Sequence, residues 1–310
     1  NGPVFLRSNH VETRDTGFVT PIVFTPPSGP QELFAVTISA GGQVLSTHAN
    51  LSEPTTIYPP PHFGYYDITA TSGDTSWHER IVATVIETEG GQLLVNGEPF
   101  IVKGVNVHGM DSRSPARTRL MMGILKDLGF NSLRGDYPPR WQIDMAHEAG
   151  LTYDVLAPFS VSSTAEIFAR QDGPPLATAR AVTRQFIERY ADAAAVLLWN
   201  SCNEIVDENI PFLLAQHPLY KLYDPYKRPV HYANLYGQDL WQGQDLMGVN
   251  YYFSDTQKAA DRHPLIERSA AIARDHGLPM IYTEYNSYHG AIPTTGVEAM
   301  EDLFTWGVEE

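Results

Sequence analysis

Residues 195–204 read AVLLWNSCNE. An apolar run from Ala195 to Trp199 ends in Asn200, Ser201, Asn203 and Glu204. A short run that is apolar on both faces and bounded by polar residues predicts a buried parallel strand. A half-exposed strand would alternate instead. Parallel strands need helical cover, so the stretch predicts an α/β architecture. Its C-terminal end then presents an amide beside a carboxylate at the edge of the sheet where such folds place their sites.

The same rhythm extends outward in both directions. Strands are expected at 100–106, 131–135, 151–156, 195–200, 229–234, 246–252 and 279–285. Helical stretches at 115–129, 139–150, 176–192 and 256–277 fill gaps between them, and Gly129, Gly150 and Gly277 mark three helix ends. "GVNVHGMDSR" (104–113) is not the glycine-rich phosphate loop that opens a doubly wound sheet, so the reading is a (β/α)8 TIM barrel. Seven strands are legible. A further helical stretch covers 296–310, and an eighth strand is expected to be missing from this chain.

Residues 1–90 behave differently. "ELFAVTISA" (32–40), "GYYDITATS" (64–72) and "ERIVATVIE" (79–87) are β-branched and aromatic runs separated by Pro- and Gly-rich turns. They predict an immunoglobulin-like β-sandwich over 1–90, followed by a barrel domain over 91–310. Asn96-Gly97 is a tight hairpin signal at the junction.

Composition narrows the function. The chain of 310 residues has 43% hydrophobic and 18% charged residues, as a globular protein does. No apolar run reaches the 18 or more residues of a membrane helix, so no membrane partner is expected. A net charge of −15 disfavours nucleic acid and suits a neutral or cationic substrate. Cys202 is the single cysteine, which excludes an internal disulfide and a cysteine-based zinc site. The 11 histidines form no H-x-x-x-H pair beside a glutamate, so no metal and no cofactor is expected. The first residues lack the basic start and apolar core of a secretory signal. Compartment stays open, with periplasm or secretion favoured over cytoplasm.

Polar residues gather at the predicted strand ends: Asn106 and His108, Arg134 and Asp136, Asp154, Asn200, Asn203 and Glu204, Asn234, Asn250, Tyr251 and Tyr252, then Glu284. Amides and carboxylates hydrogen-bond sugar hydroxyls, and aromatic rings stack on sugar faces. Glu204 and Glu284 would face each other across the mouth, and paired carboxylates about 5–5.5 Å apart carry out retaining glycoside hydrolysis. The two need different environments, because one attacks as an anion while the other delivers a proton. Arg134 is the candidate cation beside Glu284, and Asn203 the candidate partner of a sugar 2-hydroxyl. Tyr251 and Tyr252 alternate in direction, and Tyr252 is the expected inward one. The plainer readings are that the glutamates are exposed loop carboxylates, that Arg134 pairs with Asp136 or Asp154, that His108 satisfies a local hydrogen bond and that Cys202 packs.

From about Gln92 to Tyr288 the chain resembles the catalytic domain of glycoside hydrolase family 2. The resemblance is carried by "LLVNGEPFIVKGVNVHGMD", "LMMGILKDLGFNSLRGDYPP", "MAHEAGLTYDV", "AAAVLLWNSCNE", "YDPYKRPVHYAN", "DLMGVNYYF" and "PMIYTEYN", in that order. It implies a retaining β-glycosidase acting on carbohydrate, with Glu284 as nucleophile, Glu204 as acid/base and Asn203, Arg134, His108, Asn106, Asp136 and Tyr252 contacting substrate. Asp136 stands where the family usually has histidine, and Tyr285-Asn286 follow Glu284 where an aromatic-glycine pair is usual. These departures leave sugar identity and exo or endo action open. They also admit a catalytically impaired, carbohydrate-binding relative of the same fold.

Overall fold

A computed structural model describes residues 2–15, 17–28, 32–107, 114–159, 174–204, 210–235, 239–253 and 259–287. The N-terminal part is all antiparallel strand: β1 (Val4–Arg7), β2 (Glu12–Arg14), β3 (Gly17–Val19), β4 (Ile22–Thr25), β5 (Phe34–Ala40), β6 (Gln43–Leu51), β7 (Thr55–Ile57), β8 (Tyr65–Ser72) and β9 (Thr75–Val82). One sheet has the order β1-β4-β7, another the order β6-β5-β8-β9, and β2-β3 form a separate pair. Alternate residues of β5 and β8 are buried, so each strand turns one face inward. Phe5, Phe24 and Ile57 of the first sheet share one core with Phe34, Ile38, Tyr66 and Ile68 of the second.

A small antiparallel sheet follows, made of β10 (Ile86–Glu89), β11 (Gln92–Val95) and β12 (Glu98–Pro99). Asn96 and Gly97 make its turn with φ of 57° and 86°, the left-handed geometry that a two-residue hairpin requires. Ile86 and Leu93 of this sheet cluster with Leu197, Leu198 and Leu246, near the N-terminal ends of barrel strands. The junction thus plugs the end of the barrel opposite the site.

The barrel strands are β13 (Gly104–Asn106), β14 (Ser132–Asp136), β15 (Thr152–Leu156), β16 (Val196–Asn200), β17 (Val230–His231), β18 (Ala233–Leu235), β19 (Met247–Phe253) and β20 (Met280–Ser287). Neighbours in the orders β13-β14-β15-β16-β17 and β18-β19-β20 are all parallel. Tyr232 alone separates β17 from β18, so the two occupy one position and seven barrel positions are filled. Among the described residues the ring is not closed by a pairing of β20 with β13. The stretch expected to form a helix at 296–310 lies outside the described residues. The first strand is shorter than its sequence suggests: Phe100 and Val102 pack in the bottom cluster instead of extending β13.

Helices α1 (Pro115–Asp127), α2 (Arg140–Glu148), α3 (Pro174–Tyr190), α4 (Ile210–Tyr223) and α5 (Ala259–Asp275) lie between the strands. Ser114 caps α1, its hydroxyl accepting from Arg117 N, with Pro115 at the first turn. Gly129, Gly150 and Gly277 take φ of 88°, 69° and 65° at helix ends, where an L side chain would be strained. Helix α4 is not among the helical stretches expected from the sequence. Pro218 stands inside it, and burial of Phe212, Leu213 and Tyr220 offsets the lost hydrogen bond.

Strand alternation sorts the barrel into two layers. Leu133, Tyr153, Val155, Trp199, Val230 and Tyr232 join the core shared with the helices. Arg134, Asp154, Asn200 and His231 alternate with them and are also buried. A buried polar group must find a partner or lose several kcal/mol, so these side chains bind one another.

Candidate active site

The polar network lies at the C-terminal ends of the strands. Arg134, 5% exposed, is its centre. Its Nη1 donates to Glu284 Oε1 at 2.8 Å and to Asn106 Oδ1 at 3.1 Å, and its Nη2 donates to Asn203 Oδ1 at 2.8 Å. Its Nε lies 3.7 Å from Asp154 Oδ2. With the Asn200 amide turned so that both ends are satisfied, Asn200 Oδ1 accepts from Arg134 Nε at 3.1 Å while its nitrogen donates to Cys202 O at 3.0 Å. The guanidinium fork therefore ties β13, β14, β15, the end of β16 and β20 into one constellation.

Glu204 and Glu284 meet at the Tyr252 hydroxyl, which donates to Glu284 Oε2 and lies 3.5 Å from Glu204 Oε1. Burial, then the hydrogen bond to Glu284, raises the Tyr252 phenol above its ordinary value. It stays a protonated donor across the physiological range. Asn250 Nδ2 reaches Glu204 Oε1 at 3.4 Å and Asn203 Oδ1 at 3.5 Å, and Thr283 Oγ1 donates to Asn250 Oδ1 at 2.6 Å. Asn106 Nδ2 donates to Thr283 O at 3.1 Å, linking the first barrel strand to the seventh.

Two register shifts aim these groups. Along β19 and β20, Val249 pairs with Tyr282 but Asn250 pairs with Glu284, so Thr283 is an extra residue. An inserted residue reverses the side-chain parity of everything after it. It places Glu284 level with Asn250 rather than Tyr251. Between β15 and β16, Tyr153 pairs with Val196 and Asp154 with Leu198, leaving Leu197 as a second extra residue upstream of Glu204. Glu204 itself has a φ of 50°, unusual for a side chain without a special reason. Its amide neighbour is pinned, since Asn203 N donates to Phe159 O at 3.2 Å.

Of the residues singled out in the sequence, Asn106, Arg134, Asn203, Glu204, Tyr252 and Glu284 converge in this network. Asp136 stands exposed at the end of β14, level with Leu156. His108 lies outside the described residues. Arg134 touches Asp154, as one of the plainer readings had it, and Glu284 as well. Thr283 and His231 are brought to the network without having been singled out. Nothing in their local sequence distinguishes them from ordinary strand residues, although Thr283 is next to Glu284 and His231 is three positions before Asn234. Cys202 is fully buried, and burial pushes its thiol up to about 12, which suits packing and not nucleophilic attack. Among the described residues, no cluster of His, Cys, Asp and Glu forms a metal site, and no helix is long and apolar enough to cross a membrane.

Solved structures with this fold include a β-glucuronidase from Ruminococcus gnavus in complex with uronic deoxynojirimycin. It matches with a TM-score of 0.70 at 15% identity over 99% of this chain and 59% of its own. The Lactobacillus rhamnosus β-glucuronidase gives 0.69 at 18% identity, covering 100% of this chain and 59% of its own. That of Dictyoglomus thermophilum gives 0.71 at 18% identity, covering 98% and 58%. The chain thus spans a little under three fifths of these proteins, and at such identity the likeness establishes shared fold. No curated protein sequence matches significantly. The family model for glycosyl hydrolases family 2, TIM barrel domain, matches residues 86–306, and by that match over most of its length the chain belongs to glycosyl hydrolase family 2.

Proposed function

We propose that the chain is a retaining β-glycosidase in which Glu284 is the nucleophile and Glu204 the acid/base. The observation that carries the proposal is the Tyr252 hydroxyl shared between the two carboxylates. One oxygen within reach of both keeps their nearest oxygens within two hydrogen-bond lengths. That spacing suits direct attack, while an inverting pair needs about 6.5–9.5 Å to admit a water. The roles follow from surroundings. Glu284 lies against the Arg134 cation, which favours the group that must attack as an anion. Glu204 forms no arginine or lysine ion pair among the described residues and rests on the amide of Asn250.

In the first half-reaction a Glu284 oxygen bonds to the anomeric carbon as the bond to the leaving oxygen breaks, and Glu204 gives that oxygen its proton. In the second, Glu204 takes a proton from water. The hydroxide oxygen then bonds to the anomeric carbon and Glu284 leaves as carboxylate. Asn203, held by Arg134 at 2.8 Å and close to Asn250, is set to meet a sugar hydroxyl.

The strand arrangement supports two finer readings. Residues 1–90 form an immunoglobulin-like sandwich, for which the three- and four-stranded sheets around one core speak. Residues 91–310 form the catalytic barrel. The deciding experiment is incubation with activated 2-fluoroglycosides of gluco, galacto, manno and glucurono configuration, followed by peptide mass analysis. Attachment of one sugar to Glu284 supports the proposal. Turnover of β-glycosides with no attachment to Glu284, or binding of sugars without turnover, overturns it.

A further inference from the structure

We infer that Asp154, anchored by His231, is a positioning residue whose charge shares the Arg134 guanidinium, so that Glu284 does not take up the whole of that charge. The inference rests on Glu284 as the nucleophile proposed above.

Asp154 points into the barrel from β15, in register with Arg134 on β14, and is 2% exposed. A carboxylate so deep needs strong partners. Its Oδ1 accepts from His231 Nε2 at 2.9 Å, while its Oδ2 has no hydrogen-bond partner and lies 3.7 Å from Arg134 Nε, an ion-pair distance. A ring nitrogen facing a carboxylate oxygen must carry the proton, so Nε2 donates. His231 is fully buried on β17, and its Nδ1 has no hydrogen-bond partner. The ring fits because residue 248 is glycine: a Cβ there would lie 2.5 Å from His231 Nδ1. Four strands are thus committed to one line of contacts running His231, Asp154, Arg134, Glu284.

Among the described residues, the charged or titratable groups in contact along this line are Arg134 on β14, Asp154 on β15, Glu204 after β16, His231 on β17, Tyr252 on β19 and Glu284 on β20. One cation therefore serves Asp154 and Glu284 together. A guanidinium given wholly to Glu284 would stabilise the resting anion more than the transition state, in which that charge is being spent. Asp154, 3.7 Å from Nε, draws part of the attraction away. Removing the Asp154 charge lowers the repulsion on Glu284, so Glu284 should ionise more readily and attack less well.

The test compares native protein with Asp154→Asn, His231→Leu and His231→Gln. Ionisation of Glu284 is followed by carboxyl carbon NMR, assigned with Glu284→Gln, and kcat and KM by pH profiles on the best glycoside. Asp154→Asn should move the Glu284 midpoint and the acid limb down by roughly one pH unit. It should lower kcat about 10-fold or more while KM changes little. His231→Leu should act in the same direction, and His231→Gln, which keeps a donor, should restore most of the native behaviour. A Glu284 midpoint unchanged or raised in Asp154→Asn overturns the inference. Should that variant not fold, equal behaviour of His231→Leu and His231→Gln overturns it. The NMR reading does not need turnover. A native protein inactive on every glycoside defeats the glycosidase proposal while the midpoint shift still decides the role of Asp154.

Discussion

Arg134 on the second barrel strand places Nη1 2.8 Å from Glu284 Oε1 on the seventh. The contact crosses the mouth of the barrel and joins residues 150 positions apart in sequence. An arginine this deep needs a carboxylate, and Glu284 supplies one.

Arg134→Lys tests the fork. Lysine keeps the charge but reaches only one or two of the oxygens of Glu284, Asn203 and Asn106. The expected loss in kcat/KM is about 100-fold, from two misplaced groups at roughly 1.5 kcal/mol each. A smaller loss than 5-fold would mean that charge alone matters.

Glu284→Ala should abolish turnover, by about 10⁴-fold or more, on every glycoside the native protein cleaves. Glu204→Ala should lose about 10²–10⁴-fold on substrates with poor leaving groups. It should form the glycosyl-enzyme readily from activated aryl glycosides, because a good leaving group needs no proton. Equal losses on both substrate classes would reassign Glu204.

Tyr252→Phe removes one hydroxyl from between the two carboxylates. Hydrogen bonds to charged groups contribute about 1.5–3 kcal/mol, so kcat should fall about 10- to 100-fold. The melting temperature should stay within a few degrees. An unchanged kcat would show that the phenol only fills space.

Deletion of Thr283 is the sharpest test of the register shift. Without it Glu284 follows Tyr282 directly and regular pairing keeps it level with Asn250, while the Thr283 contacts to Asn250 and Asn106 are lost. Turnover should therefore survive the deletion, at a lower level than in the substitution. Thr283→Ala keeps the residue count and should retain at least a tenth of native turnover, losing just the 2.6 Å bond to Asn250.

His217 predicts how stability varies with acidity. It is buried between Ser201 Oγ, 2.9 Å from Nε2, and Gly243 O, and burial lowers it to about 4. Unfolded histidine titrates near 6.5. Between those values the unfolded chain binds the additional proton, so stability falls as pH drops from about 6.5 towards 4, by up to about 3 kcal/mol. Denaturant titration at pH 7.5 and 4.5 should show the loss, and His217→Asn should flatten it.

Most of the barrel can be read from the chain. An apolar run ending in Asn and Glu, seven strands alternating with helical stretches, and glycines at three helix ends are local signals, because a buried parallel strand and a helix stop each have a chemistry of their own. Asn96-Gly97 belongs with them, since a two-residue turn requires left-handed backbone. The polar strand ends name Arg134, Glu204, Tyr252 and Glu284 as candidates.

Tertiary structure decided the rest. Helix α4 exists despite Pro218 because burial of Phe212, Leu213 and Tyr220 outweighs a lost backbone bond, a balance that no local pattern carries. Thr283 and Leu197 are extra residues only relative to the strands beside them, so register shifts have no signature within one strand. Asp154 and His231 sit 77 positions apart, and although Asp154 stands among the polar strand residues, nothing local pairs it with His231. What joins them is the buried interior of the barrel, where a buried charge must be answered by whichever side chain the neighbouring strands bring near.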